Sequence, residues 1–102
     1  MIALRGTYTV KPEYVTTNQK NIAALMDHLH DHPIEGLWHK AFLLEDGQSF
    51  MHLNIAKDQA TLDKISEVDA YRNFRTQLGA SEPVAAPKLK NLSPVGELKH
   101  FF

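Results

Sequence analysis

The chain contains no cysteine. Disulfide staples, thiolate nucleophiles and zinc–thiolate sites are therefore excluded, and a reducing, cytoplasmic setting is compatible with the composition. Glycine is sparse as well. The five glycines are scattered over 102 residues, and none belongs to a phosphate-cradling loop, so nucleotide binding has no support. No basic run or stripe is visible in a chain whose 11 Lys and Arg nearly balance 12 Asp and Glu. That argues against nucleic acid or an anionic membrane surface as a partner. No apolar run reaches the length of about 18 residues that a membrane-spanning helix needs, and the opening MIALRGTYTV is too polar after Leu4 for a secretory signal. What is present is 43% hydrophobic and 23% charged residues, the composition of one soluble intracellular domain over residues 1–102.

The segment from Gly36 to Lys57, GLWHKAFLLEDGQSFMHLNIAK, organises the rest. Two alternating apolar runs flank Glu45-Asp46-Gly47, where the glycine supplies the positive φ of a tight reversal, so the segment reads as a β-hairpin. Its register decides which side chains meet. A two-residue turn at Asp46-Gly47 sets Trp38, Lys40, Phe42 and Leu44 on one face with Met51, Leu53 and Ile55. A three-residue loop with a bulge at Gly47 instead gathers Leu37, His39, Ala41 and Leu43 with that aliphatic set. The second register is the expectation, because it collects small and aliphatic residues on a face suited to receive helices. It leaves Trp38, Lys40, Phe42, Phe50, His52 and Asn54 on the other face.

Around the hairpin the chain supplies two more strands and two helical regions. Ile2 to Lys11 alternates as a strand, with Tyr8 and Val10 on one face, and Pro12 marks the passage to a helix. From Glu13 to about His30, Val15, Ile22, Leu25, Met26 and Leu29 recur at helical spacing, and Pro33 ends the pattern. Asp58 stands where an N-cap is expected. Beyond it, Leu62 and Ile65 change phase near Val68-Asp69 before Tyr71, Phe74 and Leu78, which predicts two helical pieces with a C-cap at Gly79. Residues 80–87 read as a loop. A last β-like run carries Leu89, Leu92, Val95 and Leu98 to Phe101-Phe102, with Pro94 at an edge or break. The succession is βαββαβ, an α+β ferredoxin-like fold with a four-stranded antiparallel sheet and its helices on one face.

On these residues the chain resembles the dimeric α/β-barrel superfamily, and within it the small proteins grouped with the antibiotic biosynthesis monooxygenases. The likeness lies in Tyr8-Thr9-Val10-Lys11-Pro12, Glu35-Gly36-Leu37, Glu45-Asp46-Gly47, Ser49-Phe50-Met51-His52-Leu53, Tyr71-Arg72-Asn73-Phe74 and Pro94-Val95-Gly96. The resemblance implies a homodimer whose two sheets pack face to face. It also implies cofactor-free oxygenation of an aromatic or polyketide-like molecule as the concrete activity, and a non-catalytic ligand-binding or interaction dimer as the alternative. The Asn, Trp and His arrangement of the haem-degrading members has no position-by-position match here.

Among candidate site residues, His52 stands first. An imidazole among aromatics can take a proton near neutral pH, which an acidic phenolic or carbon substrate requires before it meets dioxygen. Trp38, Phe42, Phe50 and Asn54 are expected to line the same cavity and to receive a small hydrophobic or aromatic ligand. The other reading of His52 is a hydrogen-bonded residue at a dimer interface. His28 and His32, four apart, have a metal-ligand spacing but no accompanying Glu, and imidazoles suit a helix C-terminus by charge alone, so no metal and no cofactor are expected.

Overall fold

The computed structural model describes residues 1–98. Strands β1 (Ile2–Thr9), β2 (Leu37–Leu43), β3 (Ser49–Ala56) and β4 (Ala85–Leu92) form one sheet in the order β2-β3-β1-β4, with helices α1 (Val15–Asp31), α2 (Gln59–Asp63) and α3 (Asp69–Ala80). Each pairing is antiparallel. This is the expected ferredoxin-like βαββαβ arrangement, with the second helical region split in two.

Local chemistry explains the boundaries. Pro12 opens a single 3-10 turn before α1, and His32 leaves the helix under Pro33, its backbone N–H donating to the carbonyl of His28. Asp58 caps α2 by accepting from the Thr61 N–H at 2.8 Å. A 3-10 turn over Lys64–Glu67 then separates α2 from α3 at the predicted phase change. The expected C-cap at Gly79 is displaced: α3 runs on through Ala80, and the left-handed residue is Glu82 at φ 54°. β4 begins at Ala85 and takes in Pro87, so the connection is shorter than expected. Pro87 is tolerated because β4 is an edge strand whose register to β1 shifts between Thr7 and Thr9. The strand stops at Leu92, two residues before Pro94. The expected terminal Phe101-Phe102 lies outside the described residues.

The hairpin register corrects the expectation. Phe42 pairs with Met51, Lys40 with Leu53 and Trp38 with Ile55, so these side chains share a face. His39 and Ala41 stand opposite Asn54 and His52 on the other. Residues 44–48 connect the two strands, and their geometry comes from Asp46, whose carboxylate accepts from the backbone N–H groups of Gln48 and Ser49 at 2.9 and 2.7 Å. That Asx turn, with Gly47 at φ 74°, fixes the register of the shorter turn.

The faces are reversed as well. Tyr8, Phe50 and His52 point toward the helices, where Tyr8 and Phe50 join Val10, Ile22, Phe74 and Leu78 in the core. Met51 and Leu53 lie on the helix-free face with Trp38, Lys40 and Phe42. The expectation that the aliphatic side of β3 receives the helices is overturned by a polar device. Buried hydrogen bonds make the His52 side of the sheet the compatible one for burial.

Candidate functional site

α3 presents Tyr71, Phe74, Arg75 and Leu78 at helical spacing, and these residues roof a cavity over the sheet. Its floor is made by Gly6 and Tyr8 of β1, His39 of β2, and His52 and Asn54 of β3, and its outer wall by Pro87 and Leu89 of the edge strand. The space is small, about 50 Å³. Gly6 lies across from His52 on one side and Leu89 on the other. A methyl group at Gly6 would come within 3.0 Å of Leu89 Cδ2, so the missing side chain holds the floor open.

A line of hydrogen bonds runs beneath this cavity. Asn18 Nδ2 donates to Tyr8 Oη at 2.8 Å, Tyr8 Oη lies 2.9 Å from His52 Nε2, and His52 Nδ1 lies 3.0 Å from His39 Nε2. Asn18 and His52 are buried, with 0% and 7% of their surface exposed, so each bond replaces water that cannot reach them. Aromatic rings hold the line in place. Phe50 stacks on Tyr8 with centroids 5.5 Å apart, and Phe74 sits 5.3 Å from the His52 ring.

Burial sets the protonation states. It lowers His52 to a pKa of about 3, helped by the neighbouring His39 and by Arg75, and it lowers His39 to about 4. Burial also pushes the Tyr8 hydroxyl well above the usual phenol range. Both imidazoles and the phenol are therefore neutral at physiological pH, and Arg75 supplies the one cation among the cavity-lining residues. Its Nη1 donates to Tyr71 Oη at 3.1 Å. Neutral acceptors beneath a cation make a site that can hold an acidic molecule and accommodate its anion.

A second cavity of about 280 Å³ lies at the C-terminal end of α1, lined by Met26, Leu29 and His30, by Pro33 and Ile34, and by the start of β2 from Leu37 to His39.

Of the residues expected to form the site, His52 and Asn54 line the first cavity and Phe50 packs directly behind Tyr8. Trp38 borders the second cavity instead, and Phe42 lies on the helix-free face, 38% exposed, with the Lys40 ammonium 5.6 Å from its ring. Both depart from the expected cluster because the register is the shorter one. The sequence reading missed Tyr8, Asn18, His39 and Arg75. Tyr8 and His39 carried a usable signal: alternation puts Tyr8 on a single face, and the shorter register puts His39 beside His52. Arg75 is one turn from Tyr71, but nothing marked Asn18, which reads as an ordinary polar residue near a helix start. The His28 and His32 rings stack at 4.8 Å, and among the described residues no group of three or more ligating side chains could hold a metal ion. No described helix is long and apolar enough to cross a membrane.

No family model and no curated protein matches the chain. Solved structures do match. An antibiotic biosynthesis monooxygenase superimposes with a TM-score of 0.80 at 15% identity, covering 94% of this chain and 100% of that one. Rv0793 from Mycobacterium tuberculosis gives 0.80 at 16% identity over 96% and 98% of the two chains. SnoaB, a cofactor-independent oxygenase from Streptomyces nogalater, gives 0.66 at 14% identity over 97% of each. At such identities the likeness is one of backbone architecture. The chain has the fold of the antibiotic biosynthesis monooxygenase-like proteins.

Proposed function

We propose that this protein is a homodimeric, cofactor-independent monooxygenase acting on an aromatic or polyketide-like small molecule with an acidic hydroxyl or C–H group. The observation that carries this reading is the buried Tyr8–His52–His39 line in a cavity that Arg75 also lines. An electron-rich anion can itself supply the electrons that reduce dioxygen. The chain's task is then to keep the substrate dry, accept its proton and balance the charge left behind. In this reading His52 passes the substrate's proton on rather than keeping it, since burial holds its pKa at about 3, and it acts through the Tyr8 hydroxyl that occupies its Nε2. Arg75 faces the developing anion, Asn54 contacts the substrate, and Phe50 keeps Tyr8 in place.

The cavity has room for about 50 Å³, whereas small-molecule sites span about 300–1,000 Å³. A substrate therefore enters by displacing an edge, and β4 is the element suited to it: nearly all of its residues are exposed and its ladder to β1 is interrupted beside Pro87. The helix-free face, with Trp38, Phe42, Met51 and Leu53, is the surface on which a second copy would pack. Covering it at about 25 cal/mol per Å² supplies ample gross driving force even after the costs of association.

The test is oxygen uptake with a panel of anthrones and quinols, without added metal, flavin or haem, comparing wild type with His52→Gln. A fall of about 10² or more is expected. Equal rates would remove His52 from the proton's path. No uptake by wild type across the panel would favour the second reading, a non-catalytic ligand-binding dimer, which the larger second cavity supports.

A further inference from the structure

The hydrogen bonds of the buried line have a direction. Asn18 Nδ2 can only donate, so it occupies an acceptor site on Tyr8 Oη. The Tyr8 hydrogen then goes to its other neighbour, His52 Nε2. A neutral ring that accepts at Nε2 carries its proton on Nδ1, and that proton points to His39 Nε2. His39 in turn carries its own proton on Nδ1, which is buried and meets no partner. Every donor points from the floor of the first cavity toward His39, and His39 lines both cavities. His39 Nδ1 has no contact with the second cavity in the resting fold, so a transfer from it needs a water drawn in beside it from that space, which other atoms of His39 already line.

We propose that Tyr8, His52 and His39 form a proton wire that carries the substrate's proton out of the first cavity into water in the second, with His39 as its exit. The proposal rests on the oxygenase reading for the source of the proton. The substrate O–H or C–H bond breaks with its electron pair left on the substrate, and the proton goes to a lone pair of Tyr8 Oη. The Tyr8 proton moves to His52 Nε2, the His52 Nδ1 proton to His39 Nε2, and the His39 Nδ1 proton to a water that enters beside it from the second cavity. One proton enters and one leaves. No ring retains charge, and the anion stays beside Arg75. When the anion has transferred electrons to dioxygen and a C–O bond has formed, the reduced oxygen needs a proton, and the same wire run backwards delivers it. The second cavity, at about 280 Å³, exceeds what several waters require.

Two measurements test the wire. In the first, ¹⁵N spectra of histidine-labelled wild-type protein near pH 7 should show both His39 and His52 neutral and protonated on Nδ1. A His52 protonated on Nε2 would overturn the proposal whether or not the protein turns over any substrate. In the second, His39→Gln keeps an amide within reach of His52 but cannot relay a proton. Oxygen uptake should fall by about tenfold or more and recover with rising concentrations of free imidazole. Wild-type rates in His39→Gln, or a loss of rate that no small buffer relieves, would reduce His39 to packing. If wild type consumes no oxygen, the oxygenase reading falls and the tautomer spectrum alone decides the wire.

Discussion

The two faces of the sheet differ in a way that runs against intuition. The face turned to the helices carries a tyrosine, two histidines and an asparagine, while the helix-free face carries Met51, Leu53, Ile55, Trp38 and Phe42. Hydrophobicity alone would bury the second and expose the first. The Tyr8–His52 and His52–His39 bonds offset part of the cost of desolvating the first, while Asn54 Oδ1 and His39 Nδ1 are buried without a partner. The second has no helix over it, and beside Met51, Leu53, Trp38 and Phe42 it carries the cations of Lys40, Arg5 and Lys90.

The sharpest contrast is in stability. Phe50, only 2% exposed and stacked on Tyr8, is central to the helix-facing side. Phe50→Ala should destabilise the fold by about 3–5 kcal/mol, measured by urea unfolding. A loss below 1 kcal/mol would show that this side is not the core.

Acid should act on the same face. His39 and His52 have folded pKa values of about 4 and about 3, below the ordinary 6.5, so the unfolded chain binds more protons as the pH falls below about 6.5. Their contribution is fully present above the unfolded value and is lost progressively toward the folded ones. Between pH 7 and pH 5 the loss should be about 2 kcal/mol for each histidine. Melting curves of wild type and a His39→Gln, His52→Gln double variant across that range check it. Equal slopes would mean that the histidines are not held neutral.

The helix-free face should respond in the opposite sense. Leu53→Glu is expected to leave monomer unfolding nearly unchanged while weakening self-association about 100-fold, equivalent to about 2.7 kcal/mol. Sedimentation equilibrium reads it directly. A wild type that is monomeric at micromolar concentration would remove the second copy from that face.

Much of the fold was legible because its signals are local. Pro12, Asp58, Pro33 and the phase change at Val68-Asp69 each act within a turn or two of chain. Hairpin register and the choice of covered face are non-local. Glu45-Asp46-Gly47 fits either register, and the arrangement is settled by two Asp46 hydrogen bonds that composition does not announce. The candidate site suffered from the same ambiguity: His52 was identifiable as a polar residue among aromatics, but its partners come from three other elements. The charge pattern hid one feature as well. Lys40, Arg5 and Lys90, far apart in sequence, fall in one row across the helix-free face with Leu53 between the first two, and Arg5 directly opposes Lys90.

Gly6 gives the cavity a property that no lining side chain could. Since the space between His52 and Leu89 exists because β1 has bare backbone there, the depth available to a guest is set by the main chain, which does not swing aside as a rotamer can. A single methyl group at this position would act as a fixed doorstop. Relatives of this fold that differ at the equivalent floor residue should therefore differ in the thickness of the ring they admit, while keeping the same hydrogen-bonded machinery below it.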